Sequence, residues 1–325
     1  MKDVALKMFE RAKELLESGE VARVIGWKKG DFCHDPAPAS FETVEELKDF
    51  TYDWFCGANL SKYLIQIAKK EGKTAIFIKP CDSYSFNQLV KEHRINRENV
   101  YVIAVECLGK LDIEKIKAQG ASFVTSVEVV EKDVKVLSPM GEMTLNKPEV
   151  VLTKCSACNK EHQVKDEEII LHERAKRDVN RFEEVEKLEA MTADERFAFW
   201  KDQLSKCIRC NACRNVCPAC SCLKCVFDNP QSGISAKANE SDFEEQLFHV
   251  IRAFHVAGRC TDCGECSRVC PQHIPLHLLN RKFIKDIDGL YGEYQAGETA
   301  EGKTPLTSYT EEDAEPNDVM NGEAK

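Results

Sequence analysis

The stretch CIRCNACRNVCP (207–218) decides how this chain folds, and it recurs as CTDCGECSRVCP (260–271). Each copy has the spacing C-x₂-C-x₂-C-x₃-C-P, with which iron-sulfur proteins hold cubane clusters. In a pair of such runs, the first three cysteines of one run bind one cluster and its fourth cysteine reaches the other. The two runs therefore predict two 4Fe-4S clusters that exchange ligands.

This rule assigns each cysteine of the runs to one cluster. The first predicted cluster is bound by Cys207, Cys210, Cys213 and Cys270. The second is bound by Cys260, Cys263, Cys266 and Cys217. Zinc is the alternative metal, but zinc takes four ligands from two C-x₂-C pairs and leaves the third cysteine and the terminal Cys-Pro without a role. Iron-sulfur clusters therefore explain the pattern better.

Composition indicates a protein of the reducing cytoplasm. The chain has 325 residues and seventeen cysteines, and residues 1–20 read as a charged amphipathic helix rather than a signal peptide. No apolar run reaches the roughly 18 residues of a membrane helix, so direct membrane insertion is not expected. Most of the net charge of −10 comes from residues 286–325. The remainder is nearly neutral, which argues against a nucleic-acid partner.

The first 160 residues alternate between helical and strand patterns. Apolar runs predict strands at 21–27, 74–79 and 100–106, and periodicity predicts helices at 4–17, 59–72 and 85–94. A hairpin is expected at 134–146. The fold class is therefore α/β with a mainly parallel sheet, followed by a helical segment and a dicluster bacterial-ferredoxin-like domain.

Four parts are predicted along the chain. They are an α/β domain (1–165), a helical connector (166–206), a dicluster domain with a helical insertion (207–285) and an acidic extended tail (286–325). Capping boxes are predicted at Thr192 with Glu195 and at Ser241 with Glu244. The tail is too polar to bury much surface, and we expect it to be a docking arm for a basic partner.

Four further cysteines suggest a third cluster. Cys81 follows one predicted strand in KPCD, and Cys107 follows another in ECLG. Both lie at carboxyl ends of parallel strands, where open α/β sheets bind ligands. Cys155 and Cys158 in KCSACN add a C-x₂-C pair. From spacing alone, buried structural thiols are an equal alternative.

This order of motifs resembles the iron-sulfur flavoprotein β subunits of deazaflavin-reducing (coenzyme F420) hydrogenases and formate dehydrogenases, with a dicluster domain appended. The resemblance covers about residues 10–160 and implies a 4Fe-4S cluster bound by Cys81, Cys107, Cys155 and Cys158. It also implies FAD. The family's glycine-rich N-terminal segment is absent here, since residues 1–20 contain only Gly19, and neither GxGxxG nor a P-loop is found.

The remaining cysteines leave alternatives open. Cys220, Cys222 and Cys225 could supply three ligands of a fourth cluster, with Cys33 or Cys56 as the last, or form a thiol patch beside the second cluster. For Cys33 and Cys56 a structural thiol is the preferred interpretation. Four arginines flank the runs, and we expect their charges to offset those of the clusters: Arg209, Arg214, Arg259 and Arg268.

Two function classes follow from these sites. The leading hypothesis is an electron-transfer subunit of a cytosolic anaerobic oxidoreductase complex, with partners of the hydrogenase, formate dehydrogenase or heterodisulfide-reductase-like type. The alternative is an FAD-containing catalytic subunit that takes hydride from, or gives it to, a deazaflavin coenzyme. A third hypothesis, an assembly scaffold with structural clusters, predicts that cluster redox state does not affect partner activity.

Overall fold

The computed structural model describes residues 1–159, 161–162, 164–170, 177–229, 231 and 242–308. The chain divides into two compact units. The N-terminal unit comprises residues 1–83 and 95–179, and the C-terminal unit comprises 84–94 and 180–325. The four-part division drawn from the sequence stays a prediction.

The described residues of the N-terminal unit form nine strands: β1 (Arg23–Lys28), β2 (Ala37–Phe41), β3 (Phe50–Thr51), β4 (Thr74–Ile78), β5 (Val100–Val105), β6 (Ser126–Val130), β7 (Asp133–Ser138), β8 (Gly141–Asn146) and β9 (Glu168–Ile170). Its helices are α1 (Lys2–Glu17), α2 (Leu64–Ile67), the start of α3 (Pro80–Lys91), α4 (Ile113–Ala118), α5 (Lys147–Val150) and α6 (Thr153–Ser156).

The main sheet has the order β2-β1-β4-β5-β9, with β3 also paired to β1. Strands β1, β4, β5 and β9 are parallel, and β2 and β3 run antiparallel to β1. Residues of β4 and β5 are almost fully buried, as expected for strands covered on both faces. The mainly parallel α/β fold is confirmed, and β7 and β8 form the expected hairpin.

One predicted helix is much shorter than expected. Over 59–72 the chain forms only a 3₁₀ turn (Ser61–Tyr63) and the single turn α2. The Ser61 hydroxyl donates to the Asp82 carbonyl at 3.0 Å, and the Ser61 amide donates to the Asn59 side chain at 2.9 Å. Side-chain bonds to the backbone of this kind compete with helix formation.

The C-terminal unit is helical. Its helices are the rest of α3, α7 (Glu183–Glu189), α8 (Ala193–Ser205), α9 (Ala212–Asn215), α10 (Asp242–Val256), α11 (Glu265–Arg268) and α12 (Leu276–Tyr291). The capping box of Thr192 and Glu195 is present at the start of α8. Ser241 of the second predicted box lies outside the described residues. No helix in the described part of the chain combines the length and apolar character that crossing a membrane requires.

The predicted tail begins later than the sequence indicated. Helix α12 continues to Tyr291, and beyond it Ala296 is buried. Gly297 lies so close to the Tyr84 carbonyl that a Cβ atom would come within 1.8 Å of that oxygen. Residues up to Tyr291 are therefore helical rather than extended, and Ala296 and Gly297 pack on their own unit. That the tail docks on a basic partner stays a prediction. Tyr309 and the residues after it lie outside the described part.

Candidate iron-sulfur sites

The two cysteine runs fold alike. In each, the residue two positions after the first cysteine has a left-handed backbone: Arg209 (φ 51°) and Asp262 (φ 55°). The residue four positions after it is also left-handed: Asn211 (φ 62°) and Gly264 (φ 68°). Glycine and asparagine tolerate this region best. The paired left-handed residues curl each loop before the short helices α9 and α11, which carry the third cysteine of each run.

The first cavity is lined by the first three cysteines of one run and the last cysteine of the other. Its cysteines are Cys207, Cys210, Cys213 and Cys270. Phe248 and His249 of α10 close one side, and Ile274 and Leu276 close another. Burial raises the pKa of Cys207 to about 12, since removal from water disfavours the thiolate.

The second cavity repeats this arrangement with the roles of the runs exchanged. It is lined by Cys217, Cys260, Cys263 and Cys266. Burial raises the pKa of Cys266 to about 11, whereas a hydrogen bond from Cys220 lowers the pKa of Cys217 to about 6. Asn280 of α12 donates to the Cys266 sulfur at 3.7 Å.

Each fourth cysteine thus lies in the cavity of the opposite run. This is the grouping that ligand exchange requires, because three closely spaced sulfurs and one distant sulfur can surround a cubane cluster. Soft thiolates in a dry cavity suit iron-sulfur clusters, and metal binding would deprotonate these thiols. The assignment of ligands to cysteines stays a prediction.

Helix α10 presents a polar stripe to these cavities. Glu245, His249 and Arg252 are four and three positions apart, so they share one face of the helix, and all three are buried. His249 Nε2 lies 3.2 Å from the Cys207 sulfur. Burial, with Arg252 and Arg209 nearby, lowers the pKa of His249 to about 3, so its imidazole is neutral at pH 7. Sequence analysis missed this stripe, although its helical spacing was readable.

The action of the four flanking arginines on the clusters stays a prediction, and the structure gives each of them an acidic partner within the protein. Each forms an ion pair with a carboxylate at 2.8 Å or less, and the pairs are Arg209 with Glu245, Arg214 with Asp228, Arg259 with Glu92, and Arg268 with Glu265. Their charges are therefore largely neutralised by the protein itself. Arg252, which sequence analysis did not single out, is different, because its guanidinium has no hydrogen-bond partner among the described residues.

The third predicted site lies in the N-terminal unit, at the carboxyl ends of β4 and β5. An isolated bridge between Leu111 and Val151 pulls the segment before α6 against the loop after β5. The Leu152 amide donates to the Lys110 carbonyl at 2.8 Å, and the Lys110 amide donates to the Cys155 sulfur at 3.4 Å. The loops that carry Cys107 and Cys155 are thereby fixed side by side.

The thiols of this site interact electrostatically. Burial raises the pKa of Cys155 to about 11, and the thiols of Cys107 and Cys158 add to the shift. Burial likewise raises the pKa of Cys81 well above its usual value, with Asp82 and Cys158 contributing. The structure thus brings all four predicted cysteines together, and their binding of a cluster stays a prediction.

Each cysteine-bearing loop of this third site also carries a lysine that binds one shared loop, residues 53–58. Lys79 Nζ donates to the Ala58 carbonyl at 2.6 Å, Lys154 Nζ to the Gly57 carbonyl at 2.6 Å and Lys110 Nζ to the Asp53 carbonyl at 2.5 Å. Lys79 and Lys110 are almost completely buried. We call these residues the lysine frame. Lys79 is paired with the buried Asp82 at 2.7 Å, whereas Lys110 interacts with Cys107, so an anionic cluster would supply negative charge beside Lys110.

The remaining cysteines have separate surroundings. The Cys220 side chain forms a hydrogen bond with the Cys217 sulfur beside the second cavity. Cys225 interacts with Arg214, and Cys222 interacts with Arg259. The placement of Cys220 favours the thiol patch over a fourth cluster, which stays untested. Cys33 donates to the Val124 carbonyl at 3.6 Å. Burial raises the pKa of Cys56 to about 12, as for a structural thiol.

Comparison with known proteins finds one family match and several similar sequences. Residues 203–274 match the family described as the 4Fe-4S dicluster domain. The F420-dependent formate dehydrogenase subunit beta of Methanocaldococcus jannaschii is 24% identical over 337 residues, an alignment that covers 86% of this chain and 88% of the relative. The F420-dependent formate dehydrogenase 1 subunit beta of Methanococcus maripaludis is 25% identical over 277 residues, covering 66% of this chain and 72% of the relative.

A solved structure gives a weaker match. A chain of the xenon-derivatized F420-reducing NiFe hydrogenase complex of Methanosarcina barkeri aligns with 47% of this chain at 15% identity, with a TM-score of 0.37. The alignment spans 58% of that hydrogenase chain.

Proposed function

We propose that this chain, which is similar to the beta subunits of F420-dependent formate dehydrogenases, is an electron-transfer subunit of an oxidoreductase complex. The observation that carries the proposal is the pair of four-cysteine cavities, each built from both runs. A bound 4Fe-4S cluster accepts and releases one electron at a time.

The residues of the chain support this role in three ways. The cysteines supply thiolate ligands, and apolar side chains such as Ile274 and Leu276 line the first cavity beside them. The neutral His249 lies in hydrogen-bonding contact with Cys207. Hydrogen bonds to cluster ligands and the local charge are the means by which proteins set cluster potentials.

The assignment of ligands is part of the proposal. Cys207, Cys210, Cys213 and Cys270 bind one cluster, and Cys217, Cys260, Cys263 and Cys266 bind another. Cys81, Cys107, Cys155 and Cys158 bind a third within the N-terminal unit. Partners are the catalytic subunits of a formate dehydrogenase, hydrogenase or heterodisulfide-reductase-like complex. We place the chain in the cytoplasm, where a reducing environment would keep the proposed thiolate ligands among its seventeen cysteines available for clusters.

A second candidate function is catalysis by the N-terminal unit, with FAD exchanging a hydride with the deazaflavin coenzyme. The alignment over 86% of this chain with an F420-dependent subunit favours it, because that alignment extends well beyond the dicluster region. Anaerobic purification with quantification of iron, sulfide and flavin separates the two. The electron-transfer proposal requires about twelve irons per chain. Stoichiometric flavin with F420-dependent reduction would favour catalysis, and iron below about four per chain would refute both.

A further inference from the structure

Arg252 of α10 is a buried cation that the protein leaves unpaired. Its side chain is 2% exposed. All three guanidinium nitrogens, Nε, Nη1 and Nη2, lack a hydrogen-bond partner among the described residues. Burying a charged group without a partner costs several kcal/mol, so such groups are rare in proteins. An anionic acceptor is therefore expected beside Arg252.

The surroundings of Arg252 identify that acceptor. Burial opposes its charged form, but the thiols of Cys266, Cys213 and Cys217 outweigh burial and raise its pKa above the ordinary value. Cys213 lines the first cavity, whereas Cys266 and Cys217 line the second. Arg252 thus interacts with sulfurs from both cavities.

Nearby carboxylates do not supply the missing partner. Glu245, about two turns earlier on α10, accepts two hydrogen bonds from Arg209 Nε, at 2.8 and 2.9 Å. Glu265, at the start of α11, accepts from Arg268 at 2.8 Å through both of its oxygens. The acids closest to the runs are therefore engaged by other arginines, and the charge of Arg252 remains available to the cavities.

We propose that Arg252 is a shared cation that stabilises the reduced state of both clusters in the C-terminal unit. This inference rests on the proposed function, since it requires clusters in both cavities. On reduction each cluster takes one electron from the external reductant, becomes one charge unit more negative and takes up no proton. Arginine stays protonated throughout. Its fixed charge therefore raises both reduction potentials together, which distinguishes it from a residue beside one cluster.

The size of the effect follows from Coulomb's law. At an effective dielectric constant of about 20, a unit positive charge within about 10 Å of a cluster changes the equilibrium constant for adding one electron to that cluster at least about tenfold. The Arg252→Met substitution removes the charge while keeping a side chain of similar length. We expect the equilibrium constant for one-electron reduction of each cluster to fall at least about tenfold, which corresponds to about 59 mV.

A potentiometric titration of the anaerobic full-length protein tests this inference. The potential is set with dithionite and mediators, and the reduction of each cluster is monitored by EPR. Arg268→Met is the matched control, because Arg268 has the same charge but is paired with Glu265. Its expected effect is below about threefold. His249→Phe is the one-cluster control, since His249 lines the first cavity, and it should shift one potential only.

Iron and sulfide analysis separates failure of this inference from failure of the proposed function. Wild-type protein without about eight irons in the dicluster region would refute the proposed function itself. With clusters present, unchanged potentials in Arg252→Met, or a shift in only one, would overturn the shared cation. If the Arg252→Met variant loses its clusters, the Arg252→Lys variant, which keeps the positive charge, is measured instead. Full iron content with near-wild-type potentials in Arg252→Lys supports the inference, and loss of its clusters overturns the inference.

Discussion

Replacing Cys270 by alanine tests the exchange of ligands between the runs. Cys270 belongs to the second run in sequence but lines the first cavity with Cys207. Cys266, only four residues earlier, lines the second cavity. The structure therefore predicts that Cys270→Ala and Cys207→Ala damage the same cluster, whereas Cys266→Ala damages the other.

The magnitude follows from the composition of the cavities. Each cavity is lined by four cysteines. The Cys270→Ala substitution therefore removes one of the four thiolate ligands of one cluster and none of the ligands of the other. We expect loss of up to about four of the roughly eight irons in the dicluster region, because alanine offers no replacement ligand. Some loss from the second cluster is also expected, since Cys213 and Cys266 pack in one apolar cluster.

Reduced-state EPR of the anaerobic full-length variants is the assay, with Cys222→Ala as the control because Cys222 lines neither cavity. The Cys270→Ala spectrum should match that of Cys207→Ala and differ from that of Cys266→Ala. A Cys270→Ala spectrum that matches Cys266→Ala would show that each run binds its own cluster and would refute the reasoning.

Three further predictions concern other parts of the chain. Cys107→Ala should remove about four irons and one EPR signal, whereas Cys56→Ala, at a nearby structural thiol, should retain them; equal retention in both would refute the third site. Lys110→Met removes a buried cation of the lysine frame and should lower the potential of the third cluster alone, as measured by the same titration; a shift of the other potentials instead would contradict this. Thr192→Ala removes the capping box of α8 and should cost about 1 kcal/mol of unfolding free energy in urea, without changing any cluster potential.

Local sequence signals predicted the dicluster region well. The spacing within the two runs predicted which cysteines group together, and the structure places them in two cavities in that grouping. The alternating strands were also readable, because β4 and β5 are buried, apolar runs bounded by polar residues. These features depend on interactions between residues that are close in sequence.

The electrostatic environment could not be predicted in the same way. Arg252 lies in the segment between the runs, so only the tertiary fold places it against both Cys213 and Cys266. The flanking arginines lie close to the cysteines in sequence, which is why they were expected to act on the clusters. Each pairs with a carboxylate, however, and the partner of Arg259 is Glu92, which is distant in sequence. The lysine frame depends similarly on the shared loop 53–58.

Counting the electrons that the protein accepts tests the central claim most directly. Anaerobic full-length protein is titrated with dithionite while its absorbance and EPR spectra are recorded, and the reduced protein is then reoxidised. Three one-electron clusters predict reversible uptake of about three electrons per chain, with flavin analysis accounting for any excess. Uptake below about one electron per chain by protein with its full iron content would contradict an electron-transfer role and leave the clusters as structural groups.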